Sequence, residues 1–284
     1  MKILVLGSEG MLGHVTKLYF QEQGHEVKGT SRTNSEDYCF DASTGISDAE
    51  TFIDDFKPDV VINCIGILNK VAEDNKPLAV IVNSYLPHYV SGLCVSRGIK
   101  FIHISTDCVF DGKASGEYTE NSFRTATDFY GRSKALGEID DDSSLTLRTS
   151  IVGPDKNRSG IGLFQWFMNQ KGDVNGFEKA IWTGVTTIEL AKAMEKAIAN
   201  NLTGLRHVVN GEKIDKFNLI TLFKKHFNKD IIIHPASDYV SDKSLAKTTD
   251  FDFEVPSYDV MVEEMAKWVT EHESLYDESQ RVTK

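Results

Sequence analysis

Tyr130 and Lys134 are the pair of residues whose types and spacing most directly predict chemistry. They lie four apart in the run Tyr-Gly-Arg-Ser-Lys, within residues 127–139, whose pattern predicts a helix. Residues at this spacing share one helical face. Because a Lys ammonium beside a phenol favours the phenolate, we expect a lowered pKa for Tyr130. Such a tyrosine can donate a proton to a carbonyl oxygen as a hydride arrives.

A second polar segment, residues 103–112, reads His-Ile-Ser-Thr-Asp-Cys-Val-Phe-Asp-Gly and begins within a predicted strand at 100–104. In a doubly wound sheet, ligands bind at the carboxyl ends of the strands. A hydroxyl there can hydrogen-bond the same substrate carbonyl that the tyrosine protonates. We therefore expect Thr106 to contact the carbonyl, Ser105 to line the cofactor and Asp107 to face the substrate.

A glycine-rich loop precedes both segments. Gly7, Gly10 and Gly13 follow a predicted strand at 2–6 and open a predicted helix at 10–23, with Met11 and Leu12 between the last two glycines. Glycines permit a tight turn and close approach of a pyrophosphate, and the helix N-terminus supplies N–H groups. The position of the motif between a strand and a helix predicts a dinucleotide site.

The end of the second predicted strand, 26–30, indicates which dinucleotide binds. An acidic residue there would accept from the ribose 2′-hydroxyl of NAD, but this sequence has Ser31 and Arg32. A hydroxyl and a guanidinium suit a 2′-phosphate, which favours NADP(H), with NAD(H) as the alternative. Asp41 and Ala42, after the next apolar stretch, are expected to border the adenine.

Strands and helices alternate through the first half of the chain. Near-continuous apolar runs such as 3–6 and 60–62 are typical of strands covered on both faces. The pattern predicts an α/β fold with a Rossmann-type doubly wound parallel sheet and a smaller C-terminal substrate lobe. We assign 1–152 plus about 180–209 to the dinucleotide-binding domain, and about 153–179 plus 210–284 to the substrate lobe. Further strands are predicted at 145–148, 205–209 and 231–233, and helices at 77–97, 163–170, 187–200, 216–226 and 260–271.

Composition narrows the classes of function. The net charge of −11 and the lack of a basic run argue against a nucleic-acid partner. No stretch reaches the ~18 apolar residues that span a bilayer, so we expect a cytoplasmic protein with no membrane partner. The four cysteines form no C-x-x-C pair and the eight histidines show no ligand spacing, so no metal site is expected.

These motifs resemble those of the extended short-chain dehydrogenase/reductase family, and specifically of dTDP-4-dehydrorhamnose reductases. Residues 105–112 are similar to that group's S-T-D-Y-V-F-D-G, with Cys108 in place of the tyrosine. Residues 130–134 match its Y-G-x-[ST]-K, residues 61–66 its V-I-N-x-x-A segment, and residues 147–150 its L-R-T-S. The resemblance covers most of 1–152 and thins to fragments beyond.

The resemblance implies a role for each matching residue. Thr106 would position the carbonyl, Tyr130 would donate the proton, and Lys134 would hold the nicotinamide ribose and lower the Tyr130 pKa. Asn83 corresponds to an Asn that the family often has beside the catalytic residues. The segment Cys64, Ile65 and Gly66 would line the cofactor.

Two departures from the family pattern border the expected substrate. Ile151 follows R-T-S where the reductases commonly have an aromatic residue, and the stretch 65–70, which includes Ile67, differs from the usual pattern. Trp182 falls on the expected substrate side, where packing and sugar stacking are equally open. The substrate is therefore expected to be dTDP-4-dehydrorhamnose or a related UDP-linked N-acetylated keto-sugar. Lys156, Arg158 and Lys243 are nominated to contact its diphosphate.

Other classes share parts of this pattern. Dehydratases of the family carry an Asp-Glu pair after the threonine, whereas Asp107 is followed here by Cys108. A sugar-nucleotide epimerase keeps the Tyr/Lys pair and remains an alternative. So does a non-catalytic NADP-binding regulatory subunit, although the full set Thr106, Tyr130 and Lys134 argues against it. A homodimer is left open as the assembly.

Overall fold

The computed structural model describes residues 1–33, 36–157 and 160–283. Its helices are α1 (Met11–Glu22), α2 (Asp48–Phe56), α3 (Asn69–Asp74), α4 (Lys76–Ala79), α5 (Leu86–Ser96), α6 (Phe129–Leu136), α7 (Leu163–Asn169), α8 (Thr187–Ala199), α9 (Lys216–His226) and α10 (Tyr258–Glu271). Its strands are β1 (Lys2–Leu6), β2 (Glu26–Ser31), β3 (Tyr38–Cys39), β4 (Val60–Asn63), β5 (Lys100–Thr106), β6 (Leu145–Thr149), β7 (Ile151–Val152), β8 (Asp173–Phe177), β9 (Ala180–Trp182), β10 (Val185–Thr186), β11 (Gly204–His207), β12 (Ile214–Asp215), β13 (Ile232–Ala236) and β14 (Ser241–Asp242).

Within the described ranges, the central sheet has seven strands in the order β11-β6-β5-β4-β1-β2-β3. Every neighbouring pair is parallel. β1 and β4, whose apolar runs the sequence singled out, have buried residues along almost their whole length. The predicted doubly wound α/β fold is therefore confirmed. The chain order reverses between β1 and β4, which is where such sheets bind ligands.

One helical stretch in the described chain, Lys76–Ser96, is long and apolar enough to cross a membrane by length and composition, with a mean hydropathy of 1.3. The sequence analysis predicted a helix at 77–97 but did not single it out as a candidate membrane span. Half of the stretch is buried, and Val82, Leu86 and Val90 pack in the core on one face of the sheet. A buried core helix passes the same test. The stretch contains a π turn at Val80–Tyr85, which holds Asn83.

The C-terminal half adds three small sheets, β10-β7, β12-β9-β14 and β13-β8. α8 packs on α1, and β11 extends the main sheet, so this part of the chain returns to the first domain. The strand β9 pairs instead with β12 and β14, which come from the last third of the chain. The division into two domains stays a prediction.

Candidate active site

The glycine loop lies at the carboxyl end of β1, beside the reversal of strand order. Gly7 has a φ of +78°, in the left-handed region that favours glycine. A Cβ on Gly13 would lie 2.1 Å from the Gly7 carbonyl oxygen, so only glycine fits where α1 meets the turn. Within the part of the chain that the structure describes, no side chain caps the first turn of α1. The loop therefore has the close backbone approach and the uncapped helix start that a pyrophosphate requires.

Leu12 is buried in the main core, and Met11, beside it, is partly exposed. The sulfur of Met11 lies 3.1 Å from the position that a Cβ on Gly162 would take. The segment before α7 therefore passes close to the glycine loop. Of the residues between Gly7 and Gly13, Met11 is thus placed where a ligand on the loop could reach it.

The residues that follow β2 are arranged around its end. Arg32 is exposed, and its positive charge contributes to lowering the pKa of Asp41 after the larger effect of hydrogen bonds from Ser43. The Ser31 hydroxyl donates to the Thr33 carbonyl at 2.6 Å. Ala42 is buried among apolar side chains. Arg32 is thus available to a ligand at the surface.

Glu36 is an acidic residue near this site that the sequence analysis missed. It forms an ion pair with Lys17, and its side chain lies 2.7 Å from where a Cβ on Gly29 would be. Burial raises the pKa of Glu36, and a hydrogen bond with Glu9 of the glycine loop raises it further. Its position five residues beyond β2 hid it, because strand-end motifs are read at fixed offsets.

The segment after β4 is held by buried amides. Ile65 donates its backbone N–H to the Asn63 side-chain oxygen at 3.1 Å. The Asn83 side chain accepts from the Ile67 N–H at 2.8 Å and donates to the Ile67 carbonyl at 2.9 Å. Asn83 is fully buried and also donates to Ser133 at 3.0 Å. It therefore ties the segment to α6, and in the described contacts its role is to position both.

Cys64 and Gly66 flank Ile65 at the carboxyl end of β4. Burial raises the pKa of the Cys64 thiol to about 12. Gly66 is exposed, and a Cβ there would meet only Asn83, at 3.8 Å. The predicted cofactor segment thus lies next to the glycine loop, since a Cβ on Gly7 would lie 2.8 Å from the Ile65 side chain.

Thr106 and Tyr130 come together at the end of β5. The Thr106 hydroxyl accepts from the Cys108 N–H at 3.1 Å and donates to Asp107 at 3.1 Å. Burial raises the pKa of Tyr130 well above its usual range, and a hydrogen bond with Thr106 opposes that rise only in part. The lowered tyrosine pKa expected from the Tyr/Lys spacing is wrong for this structure. The phenol is held in its protonated, proton-donating form.

Lys134 explains that difference because its ammonium nitrogen is directed elsewhere. Its Nζ donates to the Ile104 carbonyl at 2.7 Å and lies 3.3 Å from Nε2 of His103. Burial lowers the pKa of Lys134 to about 8. Sharing a helical face with Tyr130 places the two residues one turn apart, but it does not make them a charged pair.

Gly131, inside the same motif, fixes the position of α6. A Cβ on Gly131 would lie 2.1 Å from the Cys108 carbonyl oxygen. The helix therefore packs directly against the backbone of the turn that follows Thr106. This contact brings the two sequence motifs into one site.

Ser105 points away from the site. Its hydroxyl donates to Glu138 at 2.7 Å, within a buried cluster that also contains Arg148. Successive residues of a strand face opposite sides of the sheet, so Ser105 and Thr106 cannot both present their side chains to one ligand. Any contact of Ser105 with a cofactor would involve its backbone.

On the expected substrate side, two lysines from the second half of the chain approach Asp107 and Cys108. Burial lowers the pKa of Lys216, although Asp107 and Cys108 act against that shift. For Lys243, burial lowers the pKa but the nearby Cys108 and Asp107 outweigh it, so the net pKa is raised. Burial raises the pKa of Cys108 to about 12. Lys216 was missed by the sequence analysis, because its approach depends on the fold of the second half of the chain.

Trp182 and Ile151 are more enclosed than the sequence suggested. Trp182 is 3% exposed and packs against Tyr258, with a ring separation of 5.8 Å. The Lys216 ammonium lies 5.4 Å from the centre of the indole. Ile151 is partly buried against the main core. Of the two open roles for Trp182, packing and sugar stacking, the structure therefore shows packing.

The cations nominated for the substrate diphosphate are not all on that side. Lys156 forms an ion pair with Glu9 of the glycine loop at 2.6 Å, which places it by the expected cofactor. Arg158 lies outside the described residues. Lys243 faces Asp107 and Cys108, as a substrate contact requires. Of the three nominated cations, Lys243 thus lies on the expected substrate side, where Lys216 joins it, whereas Lys156 lies by the glycine loop.

A family model described as the RmlD substrate binding domain matches residues 1–241 of this chain. A probable low-salt glycan biosynthesis reductase of Haloferax volcanii is 34% identical over 179 residues, which cover 58% of this chain and 59% of that protein. A dTDP-4-keto-6-deoxy-D-glucose reductase of Streptomyces niveus is 24% identical over 214 residues, covering 72% of this chain and 71% of that one. The aligned part thus spans less than two thirds of the Haloferax relative.

Among solved structures, a dTDP-4-dehydrorhamnose reductase of Bacillus anthracis in complex with NADP is similar, with a TM-score of 0.79. The two chains are 20% identical, and the match covers 93% of this chain and 98% of that one. At this identity the likeness concerns the fold. It agrees with the parallel sheet and with the predicted Rossmann-type architecture.

Proposed function

This chain belongs to the family described as the RmlD substrate binding domain, and on that premise we propose that it is an NADP(H)-dependent reductase of a nucleotide-linked 4-keto-6-deoxysugar. The observation that carries the proposal is the packing of α6, at Gly131, against the turn that follows Thr106, which brings Tyr130 of α6 close to the end of β5. The glycine loop lies two strands away along the same sheet edge. The two similar proteins from Haloferax volcanii and Streptomyces niveus are both described as reductases, which supports the same reaction class.

The residues of this chain divide the reaction between them. Bound NADPH would supply the hydride that reduces the carbonyl carbon. Thr106 would orient the carbonyl oxygen, and Tyr130, whose buried phenol keeps its proton, would donate that proton to the oxygen. Gly7, Gly10 and Gly13 would hold the pyrophosphate, and Arg32 the 2′-phosphate. The enclosed position of Tyr130, which is 8% exposed, would limit competing water.

Lys216 and Lys243 would contact the anionic nucleotide diphosphate and offset the net charge of −11. The candidate substrates are dTDP-4-dehydrorhamnose and related UDP-linked N-acetylated keto-sugars. A cytoplasmic location and a homodimer belong to the proposal. So does an interaction limited to small molecules, with no nucleic-acid or membrane partner.

The deciding experiment incubates the protein with nucleotide-linked 4-keto-sugars and follows the loss of NADPH absorbance. A reductase consumes one NADPH for each sugar reduced. An epimerase changes the sugar without net consumption, and a binding subunit does neither. The same sugars without their nucleotide should react with a much lower kcat/KM, and equal values would contradict recognition of the diphosphate.

Tyr130→Phe tests the proton donor. We expect a loss of reduction of about 10²–10⁴-fold with NADPH affinity unchanged, because the hydroxyl acts on the carbonyl only. Tyr118→Phe is the matched control, since Tyr118 is also a buried tyrosine but its hydroxyl has no hydrogen-bond partner among the described residues. Near-normal turnover in Tyr130→Phe would exclude this residue as the proton donor.

A further inference from the structure

A buried hydrogen-bond network ties the glycine loop to the last part of the chain. The Trp268 indole nitrogen lies 2.9 Å from the Tyr276 hydroxyl, and that hydroxyl lies 2.9 Å from Nε2 of His14. Nδ1 of the same imidazole lies 2.9 Å from the Gly10 carbonyl oxygen. The side chains of Trp268, Tyr276 and His14 are all buried. This His14 network therefore connects α10, and the segment after it, to the turn between β1 and α1.

The two ends of the His14 network fix the direction of every hydrogen bond in it. A carbonyl oxygen can only accept, so Nδ1 of His14 carries a proton and donates it to Gly10. Burial lowers the pKa of His14 to about 4, so the ring is neutral at neutral pH and Nε2 keeps a lone pair. An indole N–H can only donate, so the Tyr276 oxygen accepts from Trp268 and its own hydrogen goes to Nε2. Each group is then paired, with the His14 proton on Nδ1.

The Gly10 carbonyl lies where the glycine loop becomes a helix. Gly10 precedes α1 in an extended conformation, with φ −77° and ψ 169°, and its oxygen also accepts from the His14 backbone N–H at 3.1 Å. The C=O and N–H of a trans peptide point in opposite directions. Holding the Gly10 oxygen towards His14 therefore directs the Met11 N–H out of the start of the helix. A pyrophosphate approaches a helix from that side.

The anchor of His14 comes from a distant part of the sequence. His14 and Tyr276 are 262 positions apart, so no motif spacing reveals their contact. Trp268 and Tyr276 also lie beyond residue 241, where the match to the family model ends. The glycine motif is thus supported by a segment outside that match.

We propose that His14 is a positioning residue for dinucleotide binding, which holds the Gly10 peptide so that the Met11 N–H faces the pyrophosphate, and that Tyr276 fixes His14 in this role. The last part of the chain thereby contributes to cofactor affinity through His14. The inference rests on the dinucleotide binding in the proposed function, and it does not require that a sugar is reduced.

The test measures the affinities of the intact chain for NADPH and NADH by calorimetric titration, without a keto-sugar. His14→Phe keeps a ring but has no donor for Gly10, so we expect both affinities to fall about tenfold. Tyr276→Phe keeps that donor and removes its anchor, so both should fall about threefold. His14→Asn places an amide N–H where Nδ1 was and should recover most of the affinity lost in His14→Phe. Both cofactors contain the pyrophosphate, so the ratio of their affinities should not change.

A double-mutant cycle distinguishes this role from packing. If Tyr276 acts through His14, Tyr276→Phe should have no further effect in a His14→Phe protein, whereas independent losses would multiply to about thirtyfold. If His14→Phe folds poorly, His14→Asn replaces it in the cycle with the same expectation. Tyr19→Phe is the control, since Tyr19 lies on the same helix and its hydroxyl donates to Glu195 at 2.6 Å. Its loss removes a hydrogen bond of α1 away from Gly10, so both affinities should be unchanged.

The direction of the His14 network is tested without cofactor, by ¹⁵N NMR of the histidine-labelled protein. We expect a neutral His14 ring with its proton on Nδ1, assigned by its absence in His14→Asn. A proton on Nε2, unchanged affinities in a folded His14→Phe or Tyr276→Phe protein, or multiplicative losses in the cycle would each overturn the proposal. A protein that binds both dinucleotides but reduces no keto-sugar would contradict the proposed function alone.

Discussion

Two buried histidines each face a buried basic side chain, and they do so with opposite ends of the hydrogen bond. His207 lies 2.8 Å from the Ala246 carbonyl through Nδ1, which must therefore donate, and its Nε2 accepts from Arg148 at 2.9 Å. His103 receives a donor from Asn63 at Nδ1, so its Nε2–H faces Lys134. In each ring, the partner of Nδ1 determines whether Nε2 donates or accepts a hydrogen bond towards the neighbouring basic side chain.

The surroundings of Arg148 and Lys134 also differ, because only Arg148 has a carboxylate partner among the described residues. Arg148 is fully buried and pairs with Glu138 at 2.6 Å, and Glu138 also accepts from Ser105 and Arg124. Among the described residues, the partners of the Lys134 nitrogen are the Ile104 carbonyl and the His103 imidazole. An arginine stays charged and needs such a pair, whereas a lysine can lose its proton. The comparison indicates that the Arg148 cluster holds a fixed charge, whereas Lys134 can change its protonation state.

Arg148→Met should have the largest effect, because it leaves the Glu138 carboxylate buried and partly unpaired. We expect the free energy of unfolding to fall by about 3–5 kcal/mol, measured by urea denaturation. Arg97→Met is the control, since Arg97 pairs with Glu50 and Asp54 at the surface, where the loss should stay below about 1 kcal/mol. Equal losses in the two variants would remove the distinction between the pairs.

Lys134→Met should have an effect that depends on pH. The folded pKa of Lys134 is about 8, below its ordinary 10.5, so protonation opposes folding below pH 8 and wild type gains stability as the pH rises from 8 to 10.5. Relative to wild type, the variant should lose about 2 kcal/mol of unfolding free energy between pH 7 and 10. Lys267→Met, at an exposed position, should show no such trend. A constant difference for Lys134→Met would contradict a buried titrating lysine.

Arg32→Ala extends the comparison to a cation at the surface that is free to meet a ligand. Its side chain is exposed after β2, and we expect NADPH affinity to fall about tenfold, near 1.5 kcal/mol, through loss of a charge-assisted contact. Calorimetric titration measures it. NADH, which lacks the 2′-phosphate, is the control ligand and should bind as before. An unchanged NADPH affinity would remove Arg32 from the cofactor site.

Lys156→Ala should have the smallest effect. Its ion pair with Glu9 is partly exposed, so we expect less than about 1 kcal/mol of lost stability, decreasing further at high salt. Thermal unfolding at low and high ionic strength checks this. A loss of about 2 kcal/mol or more would mean that the Lys156 ion pair contributes to the free energy of unfolding as a buried pair does.

The sequence predicted the central sheet because strand and helix periods alternate clearly there. β1 and β4 contain the apolar runs 3–6 and 60–62, and each extends one residue beyond its run, to Lys2 and to Asn63. The helix α2 was not predicted, and the predicted helix 77–97 contains a π turn that residue spacing does not reveal. The main strands depend on local patterns, whereas that turn depends on what Asn83 contacts.

The candidate site also contains features that the sequence predicts and features that it does not. Thr106 and Tyr130 could be predicted, since each follows a motif at a strand end or on a helix. The direction of the Tyr130 pKa could not, because it depends on burial and on where Lys134 points. Arg148 carried a usable signal, as an arginine inside an apolar strand requires a buried partner. Lys216 carried none, since residues far apart in the chain bring it near Asp107.

The contact between Gly131 and the Cys108 carbonyl has a consequence for protein engineering. It makes the segment after β5 and the start of α6 a single structural module whose geometry is set where the two segments touch. Any transplant of one motif without the other would separate Thr106 from Tyr130, so the pair is the smallest unit that can be moved.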